Sequence, residues 1–237
     1  MNSKEPLKDN RYILFKEVIS ILDQAGVLSY LILIGGWCLY VYREYFGNDP
    51  QIPLLRTADI DFLIPRPLKI KNGIDVHTLL KNKGFDVQFS HPAGYIKYVH
   101  PQMEIEFLTP EVGKGSEKPF LIRPLNLSAQ QLRYLTILQN YTMKILLGES
   151  KITLPEPSAF VLHKLLLSIK RKRTEKREKD LRTAIDFGEF LLQQKDQRVR
   201  LKEIFESFPE PWKRDILKAI ENKFQPLIEF LKESQIE

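Results

Sequence analysis

The chain holds one cysteine, Cys38, in 237 residues, so no internal disulfide can form and stability must come from packing. Its four histidines, His77, His91, His100 and His163, are scattered and join no cysteine at zinc-site spacing. None sits with a serine or cysteine partner that would suggest a nucleophilic triad. Long apolar runs are missing as well. The longest, Leu28 to Ile34, is interrupted by Ser29 and Tyr30 and falls well short of the roughly 20 residues that span a bilayer. Met1 to Asn10 is polar and lacks the apolar centre of a signal peptide. Internal repeats and low-complexity tracts are also absent. These absences predict a soluble, cytoplasmic protein with no membrane partner.

Charge of one sign is in short supply too. Thirty-six Lys and Arg face thirty Asp and Glu, a net charge of +6, which suits phosphate-rich ligands or RNA without selecting either. The excess is not spread evenly, because much of it falls in Lys170 to Lys179. At 43% hydrophobic and 28% charged, the chain has ordinary globular composition and enough apolar material for one large domain or two small ones.

The pattern divides near Pro155 and Pro157. Before it, helical spacing over Arg11 to Gln24, with Asp9 or Asn10 as cap, leads to Gly26, a nearly continuous apolar strand at Leu28 to Ile34, the glycine pair Gly35-Gly36 and a short helix over Trp37 to Phe46. Ala58 to Ile64 alternates polar and apolar and predicts a strand, and Ile74 to Lys83 predicts a helix. Further strands are expected at Phe85 to Phe89, Tyr95 to Val99 and Met103 to Leu108, with a loop over Val112 to Lys118. Ser128 reads as the cap of a helix running to Leu138, and Thr142 to Leu147 with Lys151 to Leu154 as a hairpin. After Ser158 everything reads as helix, broken near Gln194 to Gln197, Pro209 to Pro211 and Pro226. The expectation is an α+β protein: an α/β domain over residues 1–155 and a helical domain over 156–237.

Three segments carry chemistry. In Asp59-Ile60-Asp61-Phe62-Leu63 the two aspartates share one strand face while Ile60 and Phe62 share the other. Two carboxylates held together repel unless a cation bridges them, and Mg²⁺ takes such a pair along with phosphate oxygens and water. The plain alternative is an edge strand that shows two acids to solvent. In the second segment, Gly35-Gly36 lets the backbone approach a phosphate at the start of a helix, whose N-terminus favours anions; a ligand-free turn would look the same. In the third, Met103 to Leu108, Glu104 and Glu106 occupy one face. If that strand lies beside the aspartates, one glutamate completes a three-carboxylate cage able to hold two Mg²⁺.

A strand, a glycine pair, a short helix, a strand with two aspartates and a later acid resembles the nucleotidyltransferase superfold of the polymerase β-like enzymes. The longer string, Gly35-Gly36-Trp37, Arg56-Thr57-Ala58-Asp59-Ile60-Asp61, a helix bearing Lys164, then Lys179-Asp180, is similar to AbiEii-type and related bacterial nucleotidyltransferase-like proteins, some of them toxins of toxin–antitoxin pairs. The resemblance covers roughly residues 28 to 190. It implies a nucleotidyltransferase-type mixed sheet with flanking helices, and Mg²⁺-dependent transfer of a nucleoside monophosphate from a nucleoside triphosphate such as ATP to an acceptor hydroxyl. Asp59 and Asp61 would be catalytic metal ligands with Glu106 as the third acid and Glu104 second. Gly35, Gly36, Arg56, Thr57, Lys164 and Lys179 would contact the nucleotide. Many members have serine after the glycines where this chain has Trp37, and the third acid is more often aspartate. RNA, tRNA included, is the favoured acceptor because of the basic stretch, although such stretches commonly form solvated helix faces. A small antibiotic-like acceptor and a non-catalytic nucleotide-binding role are the alternatives, and a cognate antitoxin is a further implied partner.

Overall fold

In a computed structural model of the chain, the described residues are 10–55, 57–68, 70, 72–90, 94–113 and 118–233. They form two compact units. The first draws on Met1–Val41 and Leu55–Pro155, the second on Tyr42–Leu54 and Glu156–Glu237.

The first unit is built on a mixed sheet. In chain order its strands are β1 (Ile32–Ile34), β2 (Asp59–Leu63), β3 (Asp86–Ser90), β4 (Tyr95–His100), β5 (Met103–Pro110), β6 (Phe120–Ile122) and β7 (Leu127–Leu132). The spatial order is β1-β2-β5-β4-β3, with β7 also pairing β5 and β6 pairing β7. β5 is the axis. β2 runs parallel to it on one side, while on the other β4 covers its first half antiparallel and β7 its last residues in parallel. β2 is therefore an interior strand, not the solvent-facing edge that would make two aspartates unremarkable.

Alternation along these strands sorts the sheet into two faces. Ile60 and Phe62 of β2, Ile105 and Phe107 of β5 and Tyr98 of β4 are buried together. Phe62 stacks on Phe107 at 5.8 Å between ring centroids, and Tyr98 meets Phe107 edge-on at 5.9 Å. The opposite face carries Asp59, Asp61, Glu104, Glu106 and Lys97 in adjacent register. β1, buried at all three residues, pairs antiparallel with β2 and places Ile34 beside Asp61.

Helices α1 (Asn10–Gln24), α2 (Trp37–Tyr45), α3 (Val76–Asn82) and α4 (Leu135–Asn140) accompany the sheet, along with a hairpin of β8 (Thr142–Leu147) and β9 (Ser150–Pro155). α1 buries Tyr12, Phe15, Val18, Ile19 and Leu22, the three-and-four spacing of one helix face. α3 starts at Asp75, whose carboxylate accepts from the Thr78 N–H at 3.0 Å and the Thr78 hydroxyl at 2.8 Å. In β8–β9, Gly148 takes the left-handed conformation that the tight turn needs (φ +61°).

Two sequence expectations are corrected. The run from Leu28 begins as a 3-10 turn over Leu28–Tyr30, and only Ile32–Ile34 is strand. Ser128 does not cap a helix. Leu127–Leu132 is a strand paired with β5 and β6, and helix is confined to Leu135–Asn140. Its sequence, Leu-Ser-Ala-Gln-Gln-Leu, has helix-like local propensity, yet burial of Leu127 and Ala129 and two flanking strands override it.

The second unit is helical: α5 (Pro157–Lys170), α6 (Thr174–Gln193), α7 (Lys195–Glu206), α8 (Glu210–Ile220) and α9 (Gln225–Lys232). Prolines lie in the first turns of α5, α8 and α9, where a missing N–H costs no helical hydrogen bond. α5 is the central helix, buried along most of its length. Phe160 on α5, Phe187 on α6 and Tyr42 from the earlier segment form the aromatic centre, with Tyr42 stacked on Phe187 at 5.3 Å and edge-on to Phe160 at 5.6 Å. Gly188 lets α9 come close, since a Cβ there would stand 3.2 Å from the Phe224 ring. No helix among the described residues is long and apolar enough to cross a membrane.

Candidate active site

The first unit gathers four carboxylates on one sheet face. β2 and β5 run parallel with Asp59 beside Glu104 and Asp61 beside Glu106, so the residues stand at the corners of a rectangle about 5 Å across the strands and about 7 Å along them. At an effective dielectric near 20, two unit charges about 5 Å apart repel by about 3 kcal/mol. Such a face therefore calls for cations. Asp59 is exposed and Asp61 half-buried, so a ligand can reach both.

One cation comes from the protein itself. Lys97 on β4 lies opposite Glu106; its Nζ is bonded to Glu106 and donates to Glu104 Oε2 at 3.2 Å. Partial burial alone would lower the lysine pKa. Its hydrogen bond and charge attraction with Glu106, then with Glu104, outweigh that effect and raise it from 10.5 to about 12. Lys97 stands in no motif of the sequence. Its signal lay in the two-residue connection Pro101-Gln102 between alternating strands: counting back from that turn sets Lys97 opposite Glu106.

The glycine pair stands against the aspartates. Gly35 has φ +76°, and a Cβ on it would lie 2.2 Å from Asp61 Oδ2. Only glycine permits both the conformation and the approach. A Cβ on Gly36 would lie 3.0 Å from Thr57 Cγ2. α2 starts on this turn, with the Cys38 and Leu39 N–H groups bonding to the Gly35 and Gly36 carbonyls at 3.3 and 3.2 Å. The positive end of the helix is thereby set beside the Asp61 carboxylate. The Thr57 hydroxyl brackets the Asp59 backbone at 3.4 Å, on both its N–H and its carbonyl, fixing the entry to β2.

Trp37, in the position where serine is common, turns away from this face. It is buried and stacks on Phe15 at 4.4 Å, with Tyr40 at 4.9 Å. Its Nε1 is buried without a hydrogen-bond partner among the described residues. Whatever the glycine turn offers a ligand is therefore backbone. Arg56 lies outside the described residues. Among those residues, no group of three or more His, Cys, Asp or Glu side chains is arranged to hold a metal ion.

Lys164, Lys179 and Asp180 belong to the second unit. Lys164 Nζ bonds Asp180 Oδ1 at 2.5 Å, and Arg171 bonds the other oxygen of the same carboxylate. Asp180 is only 4% exposed. Burial would raise its pKa, but the Lys164 and Arg171 charges and hydrogen bonds prevail and lower it. His163 beside them is buried and held neutral, its pKa lowered to about 3, first by desolvation and then by Lys164. Lys179 is exposed on α6, and its carbonyl accepts from the Thr183 hydroxyl at 2.7 Å.

The sequence matches the protein family described as "Nucleotidyltransferase" over residues 14–210. Among curated proteins, no sequence matches. Similar solved structures include an antigenic nucleotidyltransferase-like protein from Paracoccidioides brasiliensis, at 15% identity, 92% of this chain and 93% of that one, with a TM-score of 0.44. The antibiotic-resistance factor ANT(2'')-Ia aligns at 11% identity over 93% of this chain and 96% of its own, with a TM-score of 0.43. A tRNA nucleotidyltransferase, solved with a primer tRNA and an ATP analogue, aligns at 16% identity over 93% of this chain and 64% of its own, with a TM-score of 0.24. The family match runs over most of the chain and takes in both the glycine turn and the four-carboxylate face, and the chain belongs to the nucleotidyltransferase family.

Proposed function

We propose that the protein transfers a nucleoside monophosphate from a nucleoside triphosphate to a hydroxyl group of an RNA acceptor, with pyrophosphate leaving as the acceptor oxygen bonds the α-phosphate, in a reaction that depends on Mg²⁺. The observation that carries this reading is the placement of Asp59 and Asp61 on one accessible sheet face with the Gly35 backbone against Asp61. Two carboxylates are hard oxygen donors of the kind Mg²⁺ takes while keeping water and phosphate oxygens in its shell, so the residues fit that ion. Mg²⁺ bound there supplies charge neutralisation for the triphosphate.

The chain's own residues do the positioning. Gly35 and Gly36 let the Asp61 carboxylate and the Thr57 side chain stand directly against the turn, and the start of α2 favours the negative charge of a phosphate. Thr57 holds the first residue of β2 in place. A reaction whose catalysis consists mostly of alignment and charge compensation needs little more. The RNA acceptor is supported by the stretch Lys172 to Lys179 in the second unit, exposed at every residue and rich in Lys and Arg.

The test is incubation of the protein with each labelled nucleoside triphosphate, Mg²⁺ and total RNA. Label is expected in RNA, in tRNA most of all. Label in small molecules or in protein alone would replace the RNA acceptor, and absence of any transfer with every nucleotide would remove the catalytic reading.

A further inference from the structure

We infer that Lys97 takes the place of a second metal ion, so that the site loads a single divalent cation, held by Asp59 and Asp61, while Glu104 and Glu106 stay bonded to the lysine. The inference rests on the reading of Asp59 and Asp61 as metal ligands. It changes what the other two acids do.

Glu106 neighbours Asp61 in register and is the acid that would close a three-carboxylate cage. Yet Lys97 reaches Glu106 and Glu104 together from the adjoining strand. Its backbone position opposite Glu106 is fixed by the two-residue turn and by four successive β4–β5 pairs. The Lys97 side chain is only about a third exposed, so the contact is built into the strand register and is not a chance meeting of two mobile surface chains. A second divalent cation on the glutamate side would have to displace this lysine or sit against its positive charge. The arrangement also explains the glutamates: a longer arm than aspartate reaches across to the lysine of the next strand. Lys97 thus acts as a positioning residue that keeps two acids off the metal and leaves the Asp59–Asp61 side as the place where it binds.

Counting bound Mn²⁺ by the loss of its free-ion electron paramagnetic resonance signal tests this without turnover. The wild-type chain is expected to bind one Mn²⁺ through the site, lost in Asp59→Asn/Asp61→Asn. Lys97→Met is expected to bind two, and Lys97→Met/Glu106→Gln to return to one. Glu106→Gln in the wild-type background is expected to shift the single affinity by less than about threefold, below the roughly tenfold or greater loss that follows removal of a group supporting a metal site. Circular dichroism on each variant guards against misfolding, and Lys97→Arg, which keeps the cation, is expected to remain at one. Two sites in the wild type, one site in Lys97→Met, or a tenfold loss in Glu106→Gln would overturn the inference while leaving the proposed transfer intact. No site in the wild type, or binding unaffected by the double aspartate change, would overturn the inference and remove the metal reading beneath it.

Discussion

Two clusters of acidic and basic side chains, one in each unit, behave in opposite ways. On the sheet face, four carboxylates share Lys97, which bonds the two glutamates, and Asp59 stands exposed beside the glycine turn. In the helical unit, one buried carboxylate, Asp180, is bonded on both oxygens by Lys164 and Arg171. The first has acids in excess and is open to a ligand. The second has its acid fully satisfied and shut away. A lysine next to a carboxylate therefore says little until burial and count are known: on the sheet face the acids outnumber it and Asp59 stands exposed, while in the helical unit it fastens a buried acid.

The largest expected effect breaks the open cluster. Asp59→Asn with Asp61→Asn should reduce nucleotidyl transfer by at least about a thousandfold, equivalent to about 4 kcal/mol of barrier. The thermal midpoint should hold or rise, because like-charge repulsion is relieved. Retention of transfer, measured with labelled nucleotide, would separate these aspartates from the chemistry. The matching change in the closed cluster should do the reverse. Asp180→Ala leaves Lys164 and Arg171 without their shared carboxylate in a largely buried place, and should cost about 3 kcal/mol of stability by denaturant titration. A loss under about 1 kcal/mol would show that the cluster relaxes into solvent.

Acid sharpens the comparison next. His163 is buried with a folded pKa near 3, against about 6.5 when unfolded. The unfolded chain then binds the extra proton between those values, so stability is fully present above about pH 6.5 and falls as pH drops toward 3. The expected loss is about 2–3 kcal/mol by pH 4.5. Asp180, whose pKa is lowered, adds to the decline only below its unfolded value near 3.8. Denaturant midpoints from pH 7 to 4.5 measure the slope, and His163→Leu should flatten it. An unchanged slope in that variant would place the acid sensitivity elsewhere.

How much of this was legible in the sequence depended on how local the cause was. Asp59-Ile60-Asp61 and Glu104-Ile105-Glu106 announced a shared strand face because alternation is a property of neighbours two apart. That β5 would lie beside β2 in parallel, acid against acid, is a long-range pairing that no local pattern states. Lys97 fell between these cases, readable from the short Pro101-Gln102 turn but only by counting register. Leu127 to Leu132 misled because its residues suit a helix, and only burial between two strands makes it β7. The helices after Ser158 were plain from their spacing and their prolines, except that the break between α5 and α6 at residues 171–173 falls inside a charged run with no proline or glycine to mark it. The joining of Tyr42–Leu54 to that unit rests on Tyr42 packing against Phe160 and Phe187, more than a hundred residues away.

A smaller effect is expected at the glycine turn. Gly35→Ala forces a Cβ into a left-handed backbone and to within 2.2 Å of Asp61 Oδ2, so either the turn or the carboxylate must move. Stability should fall by about 1–2 kcal/mol. Transfer should fall more steeply than stability does, because a displaced Asp61 costs the alignment proposed for it. Gly26→Ala, at φ +74° but with nothing within 4 Å of its Cβ, isolates the conformational share and should leave transfer unchanged. Equal loss of transfer in both variants would show that backbone strain, not the closeness to Asp61, explains the effect.

The smallest effect is expected on the outer side of α6, where Arg182 and Asp186 pair across one turn at 3.8 Å with the arginine 86% exposed. This is the same kind of ion pair as Lys164–Asp180, on the same helix as Asp180, but it faces water. Solvent screens the attraction, and holding two long side chains together costs entropy that offsets the rest. Arg182→Ala should change stability by less than about 0.5 kcal/mol, against the roughly 3 kcal/mol expected at Asp180. The contrast is carried by burial and partner count: Asp180 is shut between two cations, whereas Arg182 meets one carboxylate in water. If Arg182→Ala cost as much as Asp180→Ala, the difference between an open and a closed cluster would lie in something other than access to water.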